Sequence, residues 1–371
     1  MSVGGDHVRI MARPWVRAAR RFESKGRWGA AARCWREALA RNDRPPAWHY
    51  GLGRVLERAN NPTGASLAYR EAIARDPSPA RWHFRLGQVL RRTGDWSAAR
   101  EAHQEAIRRG PERRPKLKGR RGRQLPFADA VDLGVVRKPA YAYGLHKAAR
   151  TADRLGIERI SALELGVAGG RGLLALEQHA HDLERMLGVA IDVYGLDTGQ
   201  GLVAPKDHRD LPYHFAEGNY AMEEAVLRER LDRAELILGD ASVTFGELLE
   251  RGIAPIGFIS FDMDLYTPTA AVLEACSERA AQEWFLPRLP LYFDDVVSHR
   301  GQDYNPFTGE LLAIDEFNER NEKVKIAQDR YFLSLPLNFA WHHSCYVMHR
   351  FGHPRSDEYV NNSSPRTLRL K

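Results

Sequence analysis

A period of 34 residues in the first third of the chain restricts its fold more than any other feature. Trp48 recurs as Trp82, Gly53 as Gly87, Ala65 as Ala99, Ala72 as Ala106 and Pro77 as Pro111, while Trp35, Tyr69 and His103 share one place in the period. Self-similarity at this spacing implies stacked units, each too small to bury its own apolar face. The small residues let helices approach, the aromatic fills the space between them, and the closing Pro stops the unit. A weaker first copy runs through Ala18, Ala19, Phe22, Ala31, Trp35 and Ala38, with Asp43 where Pro would stand. Three helix pairs are therefore expected over residues 1–111. Trp35, Tyr69 and Trp82 read as core packing rather than as a ligand box.

The pattern Leu52-Gly53-Leu56-Ala65-Tyr69-Ala72-Pro77, repeated as Leu86-Gly87-Leu90-Ala99-His103-Ala106-Pro111, closely resembles the tetratricopeptide repeat. That resemblance implies a module that binds a protein partner or self-associates. Next comes a run from Arg108 to Gln124 with Arg, Lys, Pro and Gly and almost no apolar side chains, which reads as a linker and places residues 112–135 between two domains. It lacks the interleaved aromatics that stack on bases, which argues against a nucleic-acid arm. Charge divides at the same place. Through Gln124 there are 29 Lys+Arg against 11 Asp+Glu, a balance of +18; the remainder has 26 against 37, or −11. A basic module beside an acidic one can attract an anionic partner, or the two can attract each other.

Beyond a helix expected from Ala140 to Leu155, strands and helices alternate. Arg159–Leu165 is a β-branched apolar run, followed by a glycine turn and a helix from Leu173 to Leu187. Further strands are expected at 190–196, 235–238, 256–261 and 289–293, with Asp197, Asp240, Asp262 and the pair Asp294-Asp295 at or just past their carboxyl ends. This alternation predicts an α/β domain with a mostly parallel, doubly wound sheet over 136–353. In such sheets ligands bind outside the carboxyl ends of the strands, so these acids share one rim. Crowded carboxylates repel unless a cation or hydroxyl donors intervene, which points to a divalent metal and a hydroxylated ligand.

The segment from Val136 to His353 resembles a class I, Rossmann-like S-adenosylmethionine-dependent methyltransferase. ELGVAGGRG at Glu164–Gly172 resembles its first motif, implying cofactor contacts from Glu164, Gly166, Gly169 and Gly170. Asp197 resembles the acid that receives the ribose hydroxyls, and Gly239–Ser242, with Asp240 and Ala241, the segment bordering adenine. ISFDMDLYTPTAAVLE and LYFDD resemble the metal-dependent sugar O-methyltransferases of the macrocin type. By that resemblance Asp262, Asp294 and Asp295 would ligate one Mg²⁺, and the acceptor would be a hydroxyl of a sugar or other small molecule. Coordination lowers a hydroxyl's pKa, and Asp264 and His299 are both candidates for the base that completes methyl transfer. A nicotinamide-type dinucleotide fold competes for the glycine turn, but the paired acids do not suit it.

Two segments fit loops around a site: Gly199–Tyr220, a polar stretch that could act as a lid, and His299–Asn321, which reads as an insertion. Two β-rich runs after Asn321 suit an antiparallel closing pair, His342 and His343 read as structural, and the tail from 354 is polar. The three cysteines have no metal-ligand spacing, and no apolar stretch of about 20 residues exists to span a bilayer, so a cytoplasmic protein is expected. A base-amino methyltransferase is disfavoured by the lack of an Asn-Pro-Pro-Tyr or Asp-Pro-Pro-Tyr segment. A methyltransferase-like scaffold that binds but does not catalyse is the remaining alternative.

Overall fold

The computed structural model describes residues 4–109, 126–278, 284–298 and 303–360 and divides into two compact units, Met1–Val135 and Val136–Lys371. The first unit is all-α. It holds α1 (Gly4–Ser24), α2 (Trp28–Arg41), α3 (Pro46–Arg58), α4 (Pro62–Arg75), α5 (Ala80–Arg92) and α6 (Trp96–Arg109), packed in sequence as three pairs. The 34-residue period is visible as a contact. A Cβ on Gly53 would stand 2.5 Å from the Tyr69 ring, and one on Gly87 2.6 Å from the His103 ring, so each glycine clears the space its ring fills. Trp35 donates through Nε1 to Glu23 Oε1 at 2.7 Å, and Tyr69 donates from its hydroxyl to Glu57 Oε2 at 2.7 Å, so the first two copies satisfy the polar tip of the core aromatic in the same way. The third cannot, because Arg91 stands where Glu57 would recur.

The 112–135 segment is not linker throughout. Residues Phe127–Asp132 form α7, with Val131 and Leu133 fully buried and Asp129 paired to Arg91 at 2.9 Å. Burial of these apolar side chains draws the segment onto the core. The basic run at 110–125 and the residues past 360 lie outside the described residues.

The second unit is a mixed α/β domain. After α8 (Pro139–Leu155) come β1 (Arg159–Leu165), α9 (Arg171–Leu187), β2 (Ala190–Asp197), α10 (Glu224–Arg230), β3 (Glu235–Leu238), α11 (Ala241–Glu250), β4 (Ile256–Phe261), α12 (Tyr266–Glu278), β5 (Arg288–Phe293), α13 (Gly309–Arg320), β6 (Val324–Gln328) and β7 (Cys345–Arg350). They build a seven-stranded sheet in the order β3-β2-β1-β4-β5-β7-β6. β1 to β5 pair in parallel, while β7 runs antiparallel to both β5 and β6, closing the sheet as the two β-rich runs suggested.

Alternation along the strands sends side chains to two helical layers. Leu163, Leu165, Ile259, Phe261, Leu291 and Phe293 share a core with Phe245 of α11, Val272 of α12 and Phe317 of α13. On the opposite face, Tyr141 of α8 packs against Phe258 and Tyr292. Within the stretch read as an insertion, Gly309–Arg320 is α13, whose Ala313, Ile314 and Phe317 form one buried stripe. His342 lies in a 3₁₀ turn before β7, buried and stacked on Phe332, in keeping with a structural role. Among the described residues no helix is long and apolar enough to cross a membrane.

Candidate active site

Because β1, β2, β4 and β5 run the same way, their carboxyl ends open together into a cavity of about 330 Å³. Gly166, Val167 and Ala168 line it from the turn after β1, and Asp197 from the end of β2. Asp240 and Ala241 come from the start of α11, Asp262 and Asp264 follow β4, and Asp294 and Asp295 follow β5. Leu202, Val203, Asn219 and Tyr220, from the segment expected to form a lid, complete the wall.

The turn is shaped by close approach. Gly166 has φ +82°, and a Cβ there would fall on the carbonyl oxygen of Asp262, so β1 and β4 meet at this point without room for a side chain. Asp197 braces the turn: its Oδ2 accepts from Val167 N at 2.7 Å and Ala168 N at 2.9 Å, and its Oδ1 from Gly199 N at 2.6 Å. Asp240 caps α11, accepting from Ser242 N at 2.9 Å.

Three residues assigned to the cofactor stand outside the wall. Gly170 is the residue before α9, with φ +74°, and Gly169 precedes it. Glu164 is sunk beneath the turn on the α8 side, where it accepts from the Tyr141 hydroxyl at 2.7 Å. Burial pushes its carboxyl up to about 8, against the opposing pull of Tyr141 and Lys138. Strand alternation explains the displacement, because Glu164 is an in-sheet residue pointing at a helix layer rather than past the strand end.

Burial first, and then neighbouring carboxylates, raise three of the acids past β4 and β5, Asp262, Asp264 and Asp295. Burial, then Asp294, raises Asp262 well above the carboxylate range, with Lys138 opposing; burial, then Asp295 and Asp294, pushes Asp264 up to about 8. Asp295 is raised to about 6, chiefly by burial, and the Tyr304 hydroxyl donating to its Oδ1 at 2.6 Å opposes the rise. The Tyr292 hydroxyl donates to Asp294. Asp295 Oδ2 is buried with no hydrogen-bond partner. Among the described residues no three His, Cys, Asp or Glu converge as a ready-made metal cage. His299, the other candidate base, lies outside the described residues.

Sequence reasoning missed four groups here. Glu310, fully buried in the first turn of α13, accepts from Asp295 N at 3.1 Å through Oε2 and leaves Oε1 unpartnered. Tyr304 and Tyr292 donate to the acid pair, and Lys138 approaches Asp262 to 3.6 Å. Tyr292 lies in the LYFDD motif and Tyr304 in the stretch read as an insertion, whereas Lys138 and Glu310 carried no signal. Backbone strain collects in the same place. Ala168, Tyr220 and Asp264 line the cavity with φ of 41°, 63° and 62°, a region costly for residues other than glycine.

With this geometry in view, a family profile identifies the helical unit. The tetratricopeptide-repeat family profile matches residues 16–67 and 58–113, and the N-terminal region is built of these repeats. Similar solved structures include the first tetratricopeptide domain of human RPAP3, at 14% identity over 28% of this chain and 81% of that one, with a TM-score of 0.26. The TPR2B domain of yeast Sti1 in a complex with pHsp70 aligns at 17% identity over 27% and 80%, TM-score 0.26. The Yersinia enterocolitica secretion chaperone SycD, bound to a YopD peptide, aligns at 15% over 29% and 79%, TM-score 0.25. No curated protein matches the chain.

Proposed function

We propose that the second unit is an S-adenosylmethionine-dependent, Mg²⁺-dependent O-methyltransferase acting on a hydroxyl of a sugar or other small molecule, and that the repeats bring it to a protein partner. The observation that carries this reading is the shared cavity: the glycine turn after β1 and the acids after β2, β4 and β5 open on one space. The antiparallel β6–β7 pair that closes the sheet agrees with what the methyltransferase resemblance implied.

The residues suit a hard divalent cation. All donors are carboxylate oxygens, they repel one another, and Asp295 Oδ2 is buried without a partner. Asp262, Asp294 and Asp295 would hold the ion; when bound, it lowers the pKa of an acceptor hydroxyl and fixes that oxygen. The turn at Gly166 lines the cavity and would border the cofactor, and Asp240 and Ala241 would border its base. Asp264, held at the wall in a left-handed conformation, would accept the hydroxyl proton. Tyr220, Asn219 and Leu202 line the cavity, and closure of their segment over it would exclude water from a reactive sulfonium.

Calorimetry with S-adenosylmethionine, with and without Mg²⁺, tests the reading. Binding in the wild type, and loss of its Mg²⁺ dependence in the double variant Asp294→Asn, Asp295→Asn, is the expected result. No binding by the wild type, or an unchanged metal dependence in the variant, overturns it. A second reading is a domain that binds ligand without turnover and serves the repeats as a scaffold. The two readings separate on whether S-adenosylhomocysteine accumulates with any hydroxylated acceptor.

A further inference from the structure

Lys138 stands where no motif placed it. It is the residue before α8, held at φ 40° and ψ 66°, and Pro139 follows it. A lysine adopts this left-handed conformation only when its surroundings impose it. Those surroundings are visible. The buried His179 of α9 bonds through Nε2 to the Arg137 carbonyl oxygen at 2.7 Å, and Tyr141 N and Ala142 N donate to the Lys138 carbonyl at 3.0 and 3.2 Å. The side chain is thereby sent across the Tyr141 ring, 5.0 Å from its centroid, and its ammonium comes within 3.6 Å of Asp262 Oδ2. Tyr141 is itself fixed from beneath, donating to Glu164 and accepting from Ser260 Oγ at 2.8 Å.

Among the described residues, no other Lys or Arg forms an ion pair with Asp262, Asp264, Asp294, Asp295 or Glu310. One ammonium therefore serves a group of carboxylates, and it is paired with the acid that the metal reading assigns as the ligand from β4. Among the described residues these acids do not form a ready-made metal cage.

We infer that Lys138 is a built-in counter-ion that occupies Asp262 while the divalent cation is away, and that cation binding requires it to release that carboxylate. The inference rests on the metal-dependent reading of this site and adds a competitor to it. An ammonium 3.6 Å from a half-buried carboxylate offsets part of the repulsion in the empty cluster and opposes a second cation there. Lys138 is thus a positioning residue that sets the metal affinity, and the strained backbone keeps it aimed.

The test is Mg²⁺ and Mn²⁺ titration calorimetry on the full chain, comparing wild type with Lys138→Met, which removes the charge but keeps the stem over Tyr141, and with Lys138→Gln. Thermal melts in EDTA run alongside to establish that each variant folds. The expected result is divalent affinity at least about tenfold tighter in both variants, with a lower melting temperature in EDTA that added Mg²⁺ restores. Unchanged or weaker affinity in a folded variant, while Asp294→Asn still abolishes binding, overturns the role of Lys138 and leaves the metal site standing. Absence of cation binding in wild type and variants alike overturns both.

Discussion

At the scale of single residues, the cavity depends on positions where side-chain size or backbone sign has little latitude. Gly166 is the sharpest case, since both its φ of +82° and the adjacent Asp262 carbonyl oppose a Cβ. Gly166→Ala should lower stability by about 1–3 kcal/mol and weaken S-adenosylmethionine binding, measured by urea denaturation and calorimetry. Glu164→Gln has the opposite character. Its folded-state pKa of about 8 lies above the unfolded value, so the unmodified chain is most stable when the group is protonated and loses stability as pH rises from about 4.5 through 8. Glu164→Gln should flatten that decline in a pH series of thermal melts. The acids at strand ends were readable because each follows an apolar run. Lys138 and Glu310 were not, because a Lys-Pro helix start and a first-turn Glu are ordinary features whose importance lies in what they face.

Among the elements, the third repeat departs from its neighbours. His103 takes the place of Trp35 and Tyr69, yet neither of its ring nitrogens has a partner, and burial, aided by Arg91, holds its pKa down to about 4. The unfolded chain takes up this proton near pH 6.5, whereas the folded array resists until about pH 4. Its stability contribution is therefore present above 6.5 and is lost as pH falls through that window. His103→Phe should keep the ring over Gly87 and remove the acid sensitivity. The melting temperature of the wild-type array should drop by on the order of 5 °C across the window, and that of the variant by much less. Strands and repeat helices were legible because several residues carry each signal, an apolar run ending in an acid for the strands and the 34-residue period for the helices. Helices α7 and α13 were not, since α7 is six residues long and the apolar stripe of α13 is short enough to pass for loop.

The whole molecule has two cores of different kinds, a helical array and a sheet between helical layers. A scanning calorimeter should resolve two transitions. S-adenosylmethionine with Mg²⁺ at about 100 times its Kd should raise the sheet unit's transition by roughly 5–10 °C and leave the other in place. His103→Phe should alter only the array's. A ligand shift in both transitions would mean that the units do not melt independently. Division into two units was visible in the charge balance and the repeats, because composition changes abruptly where the architecture does.

The brace at Asp197 carries one more consequence, for selectivity among nucleotides. Two amides of the turn after β1, those of Val167 and Ala168, already face a carboxylate. In dinucleotide-binding folds the corresponding glycine-rich turn cradles pyrophosphate. Here that anion would find its donors taken and a negative charge beside them. If the pocket takes the proposed cofactor, this prior occupancy would favour an adenosine that carries a sulfonium over one that carries phosphates at this turn.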